Sequence, residues 1–537
     1  MKRGVARSAG VVSAAIALSR ITGLVREMLM ARLFGAGQIY DAFLLAFRIP
    51  NLTRDLLAEG ALSSAFIPAF TRQLTRDRRE AEELANLVGT AIILGVGTMC
   101  LLGILLSPQL VALLAPGFKQ VPGKAELAVT LTRIMFPFLL LVALAAQAMG
   151  VLNATGRFGV PALASAWFNV GSVAVGLGVG YTLGRALGID LIVSMSVGVV
   201  AGGMLQLGWQ LPSLWRAGFP FRPRWNPQHP ELRRVLALMG PAILGGAAVQ
   251  INVMVNTNFA SSITDASGQV MDGPVSWLGY AFRFLQLPLG LFGVAIASAT
   301  LPAISRSAGL GRMEEFRETL AHSLRMVLLL TIPSSVGLAV LGSSMIATVY
   351  QWGRFKPHDT EQTALALTGY AVGLAGYAAI KVLAPAFYAL NDARTPMLVS
   401  AFSIFVNWGA AFSLVRYAGL GHAGLALATS VVALAGAASL AALLHVKAGG
   451  IGGYPLAAAT AKIVAASAVM GAAAMASSRA VHVWLGGSRA APLADVAVSV
   501  PLAVVVFVAM CRMLRVPEVA ALEQRSVLNF LKRCFPI

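Results

Sequence analysis

Arg20, Arg26 and Arg54, and much further along Arg283 and Lys381, are the side chains of this 537-residue chain best placed to do chemistry, because each interrupts a long apolar run. A charge near the centre of a bilayer costs about 2.5–3.5 kcal/mol even on the lenient insertion scale. Glu27, Arg32, Asp41, Asp55 and Glu59 crowd into the same stretch between Ser19 and Arg72, with Asn51, Ser63 and Ser64 as neutral polar groups beside them. So many polar groups in two apolar segments need a polar cavity or mutual partners, and the activity this points to is transport.

Spacing sorts these residues onto faces. Arg20 and Glu27 are seven apart and share one face of a helix, while Arg26 lies about 120° round from Arg20 on an ideal helix. Both arginines face one cavity only if the helix bends, and Gly23 stands between them as the place for it. The alternative is a structural pair of Arg26 with Glu27 or Asp41, since buried ions are normally paired. Asp41, Arg48 and Asp55 fall on one stripe at seven-residue spacing, so mutual neutralisation competes there with a ligand site. Pro50 removes a backbone bond just before Asn51 and Arg54, and Glu59, Ser63 and Ser64 continue the polar lining.

The elements that must carry these residues are membrane spans. With 57% hydrophobic and 12% charged residues the chain is no soluble globule, where about 25% charge is usual. The start, Met1-Lys2-Arg3-Gly4, imitates a signal peptide, but Arg20 and Arg26 interrupt the apolar run, so it reads as a retained first helix. At about 20 apolar residues per span, fourteen segments follow, from 8–34 and 40–71 through 84–114, 125–151, 232–263, 274–305 and 361–389 to 455–478 and 493–511.

Basic residues concentrate on alternate connections. Lys2, Arg3, Arg7, the arginines of 72–79, 216–234 and 306–317, Arg394, Lys447 and the tail from Arg512 to Arg533 stand on one side. The other side holds only Lys119, Lys124, Arg185, Arg354, Lys356, Arg416, Arg479 and Arg489. The positive-inside rule then puts both termini in the cytoplasm, and the net charge of +19 becomes topological, with membrane lipids as partner and no nucleic acid required. The stretch 71–83, alternating Arg with Asp or Glu, reads as a solvated loop. Cys100, Cys511 and Cys534 are too few and scattered for disulfides or zinc, and no cofactor or metal is expected.

An internal repeat organises the spans. Ser64-Ala65-Phe66-Ile67-Pro68-Ala69-Phe70-Thr71-Arg72 returns as Ser298-Ala299-Thr300-Leu301-Pro302-Ala303-Ile304-Ser305-Arg306, and Leu152-Asn153 with Arg157 returns as Leu390-Asn391 with Arg394. Six spans separate the copies, so the halves run the same way through the membrane and build two parallel six-helix lobes around a central cationic cavity, with two C-terminal helices added. The eighth span, with Arg283, Gln286 and Pro288, is the counterpart of the second, so Arg283 is expected to face Arg54 across a cleft. Gln250, Asn252, Asn256 and Asn258 in the seventh span suit either hydrogen bonding to a polar substrate or interhelical adhesion. Catalysis is not expected, because the six histidines are scattered and no carboxylate pair or metal set accompanies them.

Ser19-Arg20-x-x-Gly23-x-x-Arg26-Glu27, Phe34-Gly35-Ala36-Gly37, Asp41-Ala42-Phe43, Pro50-Asn51-Leu52-x-Arg54, Ala58-Glu59-Gly60-Ala61, Met239-Gly240-Pro241-Ala242 and Leu383-Ala384-Pro385-x-Phe387-Tyr388 resemble the MurJ/MviN family of lipid II flippases, within the multidrug/oligosaccharidyl-lipid/polysaccharide exporter superfamily. The resemblance implies an N-lobe (1–225), a C-lobe (226–450), a terminal helix pair (451–516) that forms a groove for a lipid tail, and a cytoplasmic tail (517–537). It implies movement of undecaprenyl-pyrophosphate-linked peptidoglycan precursor between the leaflets of the bacterial inner membrane, with other cell-wall synthesis proteins as further partners. Essential cavity arginines of the family match Arg20, Arg26, Arg54 and Arg283, and Asp41, Glu59 and Ser63 match other sensitive positions; Asn51, Ser64, Asn256 and Gln286 join them as supporting polar residues on their place in the spans alone. Guanidinium forks bind pyrophosphate oxygens bidentately and stay charged when desolvated, which agrees with that assignment.

Two departures stand out. Phe282 takes the place of an acidic residue before Arg283, which leaves Glu59 or the substrate as its partner, and no Asp or Glu lies between Asp392 and Asp495 to build the family's sodium site. A multidrug exporter of the same superfamily is the competing reading, but cationic drugs call for an acidic cavity. The stretch from Pro517 to Ile537, with Leu522, Phe530, Arg525 and Lys532, suits an interfacial helix.

Overall fold

The computed structural model describes residues 2–54, 62–451, 456–486 and 488–519. Asp55, Glu59, Cys534 and the tail from 520 onward lie outside these residues, as do the side chains of Ser63 and Ser64. The described chain is helical nearly throughout, as backbone in hydrocarbon must be when no water is present to satisfy its N–H and C=O groups. Its one extended pairing among the described residues is an isolated bridge between Thr264 and Val270.

Two compact units divide the chain at Ser276. The first, Met1–Ser276, holds α1 (Lys2–Phe34), α2 (Gln38–Arg54), α3 (Ser63–Arg76), α4 (Arg78–Leu105), α5 (Ser107–Leu114), α6 (Lys124–Met135), α7 (Pro137–Ala154), α8 (Gly159–Val179), α9 (Arg185–Leu187), α10 (Leu191–Gly208), α11 (Leu211–Arg216) and α12 (Pro230–Ser261). Its closest seam joins α8 to α10, where a Cβ at Gly198 would lie 2.3 Å from the Ser172 carbonyl oxygen and one at Gly202 2.6 Å from that of Phe168. Small residues let the two backbones approach where lipid offers no hydrophobic drive.

The second unit begins inside α13 (Pro274–Pro288) and continues through α14 (Ala295–Gly309), α15 (Met313–Tyr350), α16 (Pro357–Ala371), α17 (Leu374–Ala389), α18 (Arg394–Phe412), α19 (Gly421–Ala448), α20 (Leu456–Leu485) and α21 (Ala491–Met513). Ile304, Phe316, Leu320, Val382, Phe387 and Leu444 form one core between α14, α15, α17 and α19. Leu341, Ile463, Met470, Phe507 and Cys511 form another between α15, α20 and α21.

Each unit repeats the same local devices. The guanidinium of Arg78 donates to the carbonyl of Ala217 beside Gly218 (φ 80°), and that of Arg317 donates to the carbonyl of Ala448 beside Gly449 (φ 69°). In both, a left-handed glycine ends a helix and an arginine takes a carbonyl that the helix leaves unsatisfied. A π-turn follows α8 at Gly180–Gly184 and another follows α18 at Ser413–Tyr417.

Ten helices or joined helix pairs among the described residues are long and apolar enough to cross a membrane, and eleven if α16 and α17, bent by 42°, count as one span. α1, α2 and α12 are not among them. With 33 and 32 residues, α1 and α12 nevertheless reach about 50 Å at 1.5 Å per residue, beyond the ~30 Å of a hydrocarbon core.

Several segment boundaries differ from the sequence reading. The stretch 71–83 is helix and not loop: α3 runs to Arg76, and Asp77, in extended backbone, starts α4 by accepting from the Arg79 N–H at 2.8 Å. Segment 84–114 breaks at Leu106, with Pro108 opening α5. At the α16–α17 bend a Cβ on Gly373 would meet Ser430 Cα at 2.5 Å, and the Ser430 hydroxyl satisfies carbonyls on the α16 side, Gly369 at 2.6 Å and Tyr370 at 3.2 Å.

Candidate functional site

The polar residues singled out in the first helices do different jobs. α1 passes through Gly23 without a break in its helix, and what Gly23 provides is close approach: a Cβ there would be 3.3 Å from Asn169 Nδ2. Asn169, on α8, donates to the Ser19 carbonyl at 3.2 Å and to the Thr22 hydroxyl at 3.3 Å, which fixes α1 between Arg20 and Arg26. Arg20 is exposed on that helix and Arg26 half-buried.

Arg26 lies against an aromatic column. Tyr40, Phe43 and Phe47 stack along α2 at 6.0 and 6.5 Å, Phe138 of α7 continues from Phe47 at 5.9 Å, and Phe168 of α8 follows at 5.1 Å. The Arg26 guanidinium carbon sits 5.8 Å from the Phe47 centroid and 5.2 Å from that of Phe168. Rings at this distance attract a cation electrostatically, and a guanidinium has the planar fork that matches an oxyanion.

Asp41 has a structural environment with an unforeseen partner. It is 1% exposed and takes Lys124 Nζ at 3.0 Å, the Gly273 N–H at 2.9 Å, and the Ser276 N–H and hydroxyl at 2.8 and 2.5 Å. Lys124, expected to be an exposed loop cation, is fully buried; it also bonds Asp272 at 2.7 Å and lies 4.5 Å from the Phe118 ring centroid. A carboxylate on the first N–H groups of α13 satisfies donors that no helix can satisfy itself and meets the positive end of its dipole. Arg48, on the stripe where mutual neutralisation with Asp41 was expected, donates to the Thr257 hydroxyl of α12 at 2.5 Å.

Arg54 and Asn51 end α2, both half-buried, and Asn51 Oδ1 is buried with no hydrogen-bond partner among the described residues. Asn256 is half-buried on α12. Arg283 and Gln286, three residues apart on α13 and therefore on one face, are both exposed, and a π-turn at Leu289–Val294 follows Pro288.

The terminal pair is less bare of charge than its sequence suggests. Asp495, fully buried on α21, accepts from the hydroxyls of Ser344, Ser478 and Ser499 at 2.5, 2.7 and 2.6 Å, with His482 Nδ1 at 3.8 Å. Arg325 pairs at 2.6 Å with Glu518, a buried residue just past α21. Among the described residues no three His, Cys, Asp or Glu come together as a metal site.

Sequence reasoning reached the arginines and Asp41 but not Lys124, Asp272, Asn169 or the phenylalanines that position them. Only Asn169 left a signal, as an isolated amide in an apolar run.

Residues 30–493 match the family described as lipid II flippase MurJ. The chain is 37% identical over 427 residues to the lipid II flippase MurJ of Burkholderia cenocepacia, covering 78% of this chain and 80% of that one. It is 36% identical over 477 residues to a probable lipid II flippase MurJ of Vibrio cholerae, covering 87% of each. Among solved structures, a lipid II flippase MurJ in an inward closed conformation superposes with a TM-score of 0.75 at 26% identity, over 94% of this chain and 99% of that one. An inward-facing multidrug resistance transporter of the MATE family shares the fold at a TM-score of 0.67 and 15% identity, over 82% of this chain and 98% of that one. The polytopic helical architecture, the arginine-bearing first helices and these likenesses agree, and the chain belongs to the lipid II flippase MurJ family.

Proposed function

We propose that this protein moves lipid II from the cytoplasmic to the periplasmic leaflet of the bacterial inner membrane by alternating access, holding the pyrophosphate with arginines. The family and the relatives named above support the activity. What supports the role of the arginines is Arg26, half-buried beside Phe47 and Phe168, a planar cation of the kind that reads phosphate oxygens. Arg20 and Arg54 in the first unit and Arg283 in the second are assigned the same chemistry, with Asn51, Glu59, Ser63, Ser64, Asn256 and Gln286 as polar support and Asp41 as an anchor for the start of α13.

The eleven spans with α1, α2–α3 and α12 make fourteen in this reading, arranged as an N-lobe, a C-lobe and a terminal pair for the lipid tail, with both termini cytoplasmic. Moving a lipid between leaflets makes and breaks no covalent bond, so the reaction asks for binding and a change of access and for no catalytic residue. Other cell-wall synthesis proteins are its expected neighbours.

The test is lipid II binding to the purified protein, counted by native mass spectrometry. Arg26→Lys keeps the charge but loses the fork and the stacking, and each charge-assisted hydrogen bond lost is worth roughly 1.5–3 kcal/mol, about tenfold to a hundredfold in affinity. Wild-type affinity in Arg26→Lys, Arg54→Ala and Arg283→Ala alike would remove these residues from the binding site.

A further inference from the structure

The connection between α11 and α12 takes no part in the reading above, yet it is held with unusual care. Two N–H groups of this connection dock on α4: that of Arg222 donates to Asn86 Oδ1 at 2.8 Å and that of Arg224 to the Thr90 hydroxyl at 3.0 Å. Asn86 and Thr90 stand one turn apart, a rise of about 6 Å, which matches the ~6.6 Å that two residues of extended chain advance. Between the two donors is Pro223, which has no N–H to leave unsatisfied. Gly89, on the same face of α4, makes room for Phe221, since a Cβ there would be 2.9 Å from that ring.

The approach to this clamp is fixed as well. Arg157 donates to the carbonyls of Ser213 at 2.9 Å and Arg216 at 3.2 Å, and Arg78 holds the Ala217 carbonyl with its guanidinium 5.4 Å from the Phe219 centroid. Side chains two apart in an extended segment share a face, so Arg222 and Arg224 project together, and both are exposed.

The level at which they project decides the ligand. Along α4 the charges end at Glu83 and the apolar run begins at Leu84, so Asn86 and Thr90 hold the two arginines where that helix passes from water to hydrocarbon. Trp225, next to the pair in sequence, and Trp215, on α11 before it, are each 58% exposed, and tryptophan favours the headgroup layer. Nearby acidic groups are few: Glu83, at 3.7 Å from Arg224, and Glu231, at 3.9 Å from Arg234. We propose that the connection clamped on α4 is a binding site for the phosphate headgroup of an anionic phospholipid, with Arg222 and Arg224 as its cationic pair. Because its backbone is already immobilised, little ordering entropy is lost on binding.

The test uses the full-length protein in detergent, titrated with phosphatidylglycerol, phosphatidylcholine or inorganic phosphate, with bound lipid counted by native mass spectrometry. Attraction of a juxtamembrane cation to anionic lipid gives roughly fivefold per arginine, so Arg222→Gln/Arg224→Gln is expected to lose about thirtyfold in phosphatidylglycerol affinity. Its lipid-free melting temperature should not move, because both side chains are exposed. Asn86→Ala/Thr90→Val is expected to weaken binding too, although both arginines are still present, while Arg312→Gln on another basic turn leaves it unchanged.

Retained affinity in the arginine pair overturns the proposal, as does equal binding of phosphatidylcholine. A loss in the arginine pair with normal binding in the Asn86/Thr90 pair rejects a built site in favour of a diffuse basic surface. Displacement of the lipid by inorganic phosphate at equal concentration rejects a headgroup site in favour of one for soluble phosphate.

Discussion

Lys124 carries more of the first unit's integrity than its place in the sequence suggests. It is a fully buried ammonium between two carboxylates, and the one on Asp41 also receives Gly273 and Ser276. Removing one member of a buried pair leaves the other charge without compensation, at a cost of about 3–5 kcal/mol. Lys124→Ala should therefore lower the melting temperature of the detergent-solubilised protein clearly, and Lys124→Met together with Asp41→Asn should recover much of the loss, because the one carboxylate then left without its cation, Asp272, is 44% exposed and solvated. A Lys124→Ala protein that melts like wild type would mean that water or another cation already compensates Asp41. The anomaly at Asp41 was legible because charge in an apolar run is costly wherever it occurs. Its partner was not, since Lys124 is 83 residues away and looks like any other loop cation. Spacing left a structural pair of Arg26 with Glu27 or Asp41 as one alternative, while the aromatic column beside Arg26 depends on three helices whose relative placement no spacing reveals.

At the level of elements, the arginine caps are the clearest common design of the two units. Arg78 and Arg317 each donate a charged hydrogen bond to a carbonyl at a helix end, where a cation also meets the negative end of the dipole. Together these effects are worth roughly 1–3 kcal/mol to the local structure. Arg78→Gln should speed amide hydrogen exchange around 214–219, and Arg317→Gln around 445–450, each without affecting the other site. Unchanged exchange in both would show that the glycine turns hold by themselves. The apolar segments were readable because a bilayer demands about 20 apolar residues whatever the fold. The interruptions were read past: Asp77 as a cap and the break at Leu106 before Pro108 rest on local chemistry within apparent runs, and the 42° bend before α17 is lined by Ser430, which arrives from another helix.

For the whole molecule the open quantity is how many times the chain crosses the membrane, and α12 decides it. Basic residues crowd the stretch 216–234, the connection into α12 and its first turns, whereas the turn 262–273 after it carries Asp265 and Asp272 and no Lys or Arg. Such an asymmetry across one helix is what the positive-inside rule reads as a crossing. Single cysteines at Gln228 and Leu310 should react with a membrane-impermeant maleimide only after permeabilisation of the inner membrane. Single cysteines at Gln269 and Ser488 should react without it. Cys100 and Cys511 are buried and contribute little background, and Cys534→Ser removes the third thiol. If Gln228→Cys and Gln269→Cys label from the same side, α12 does not cross and the fourteen-span arrangement falls, whatever the chain's family. If they label from opposite sides, the hydrogen bonds that Arg48 donates to Thr257 of α12, Lys124 to Asp272 and the Gly273 N–H to Asp41 lie at the end of the first unit away from the basic turns. The charged network would then lie at the periplasmic face.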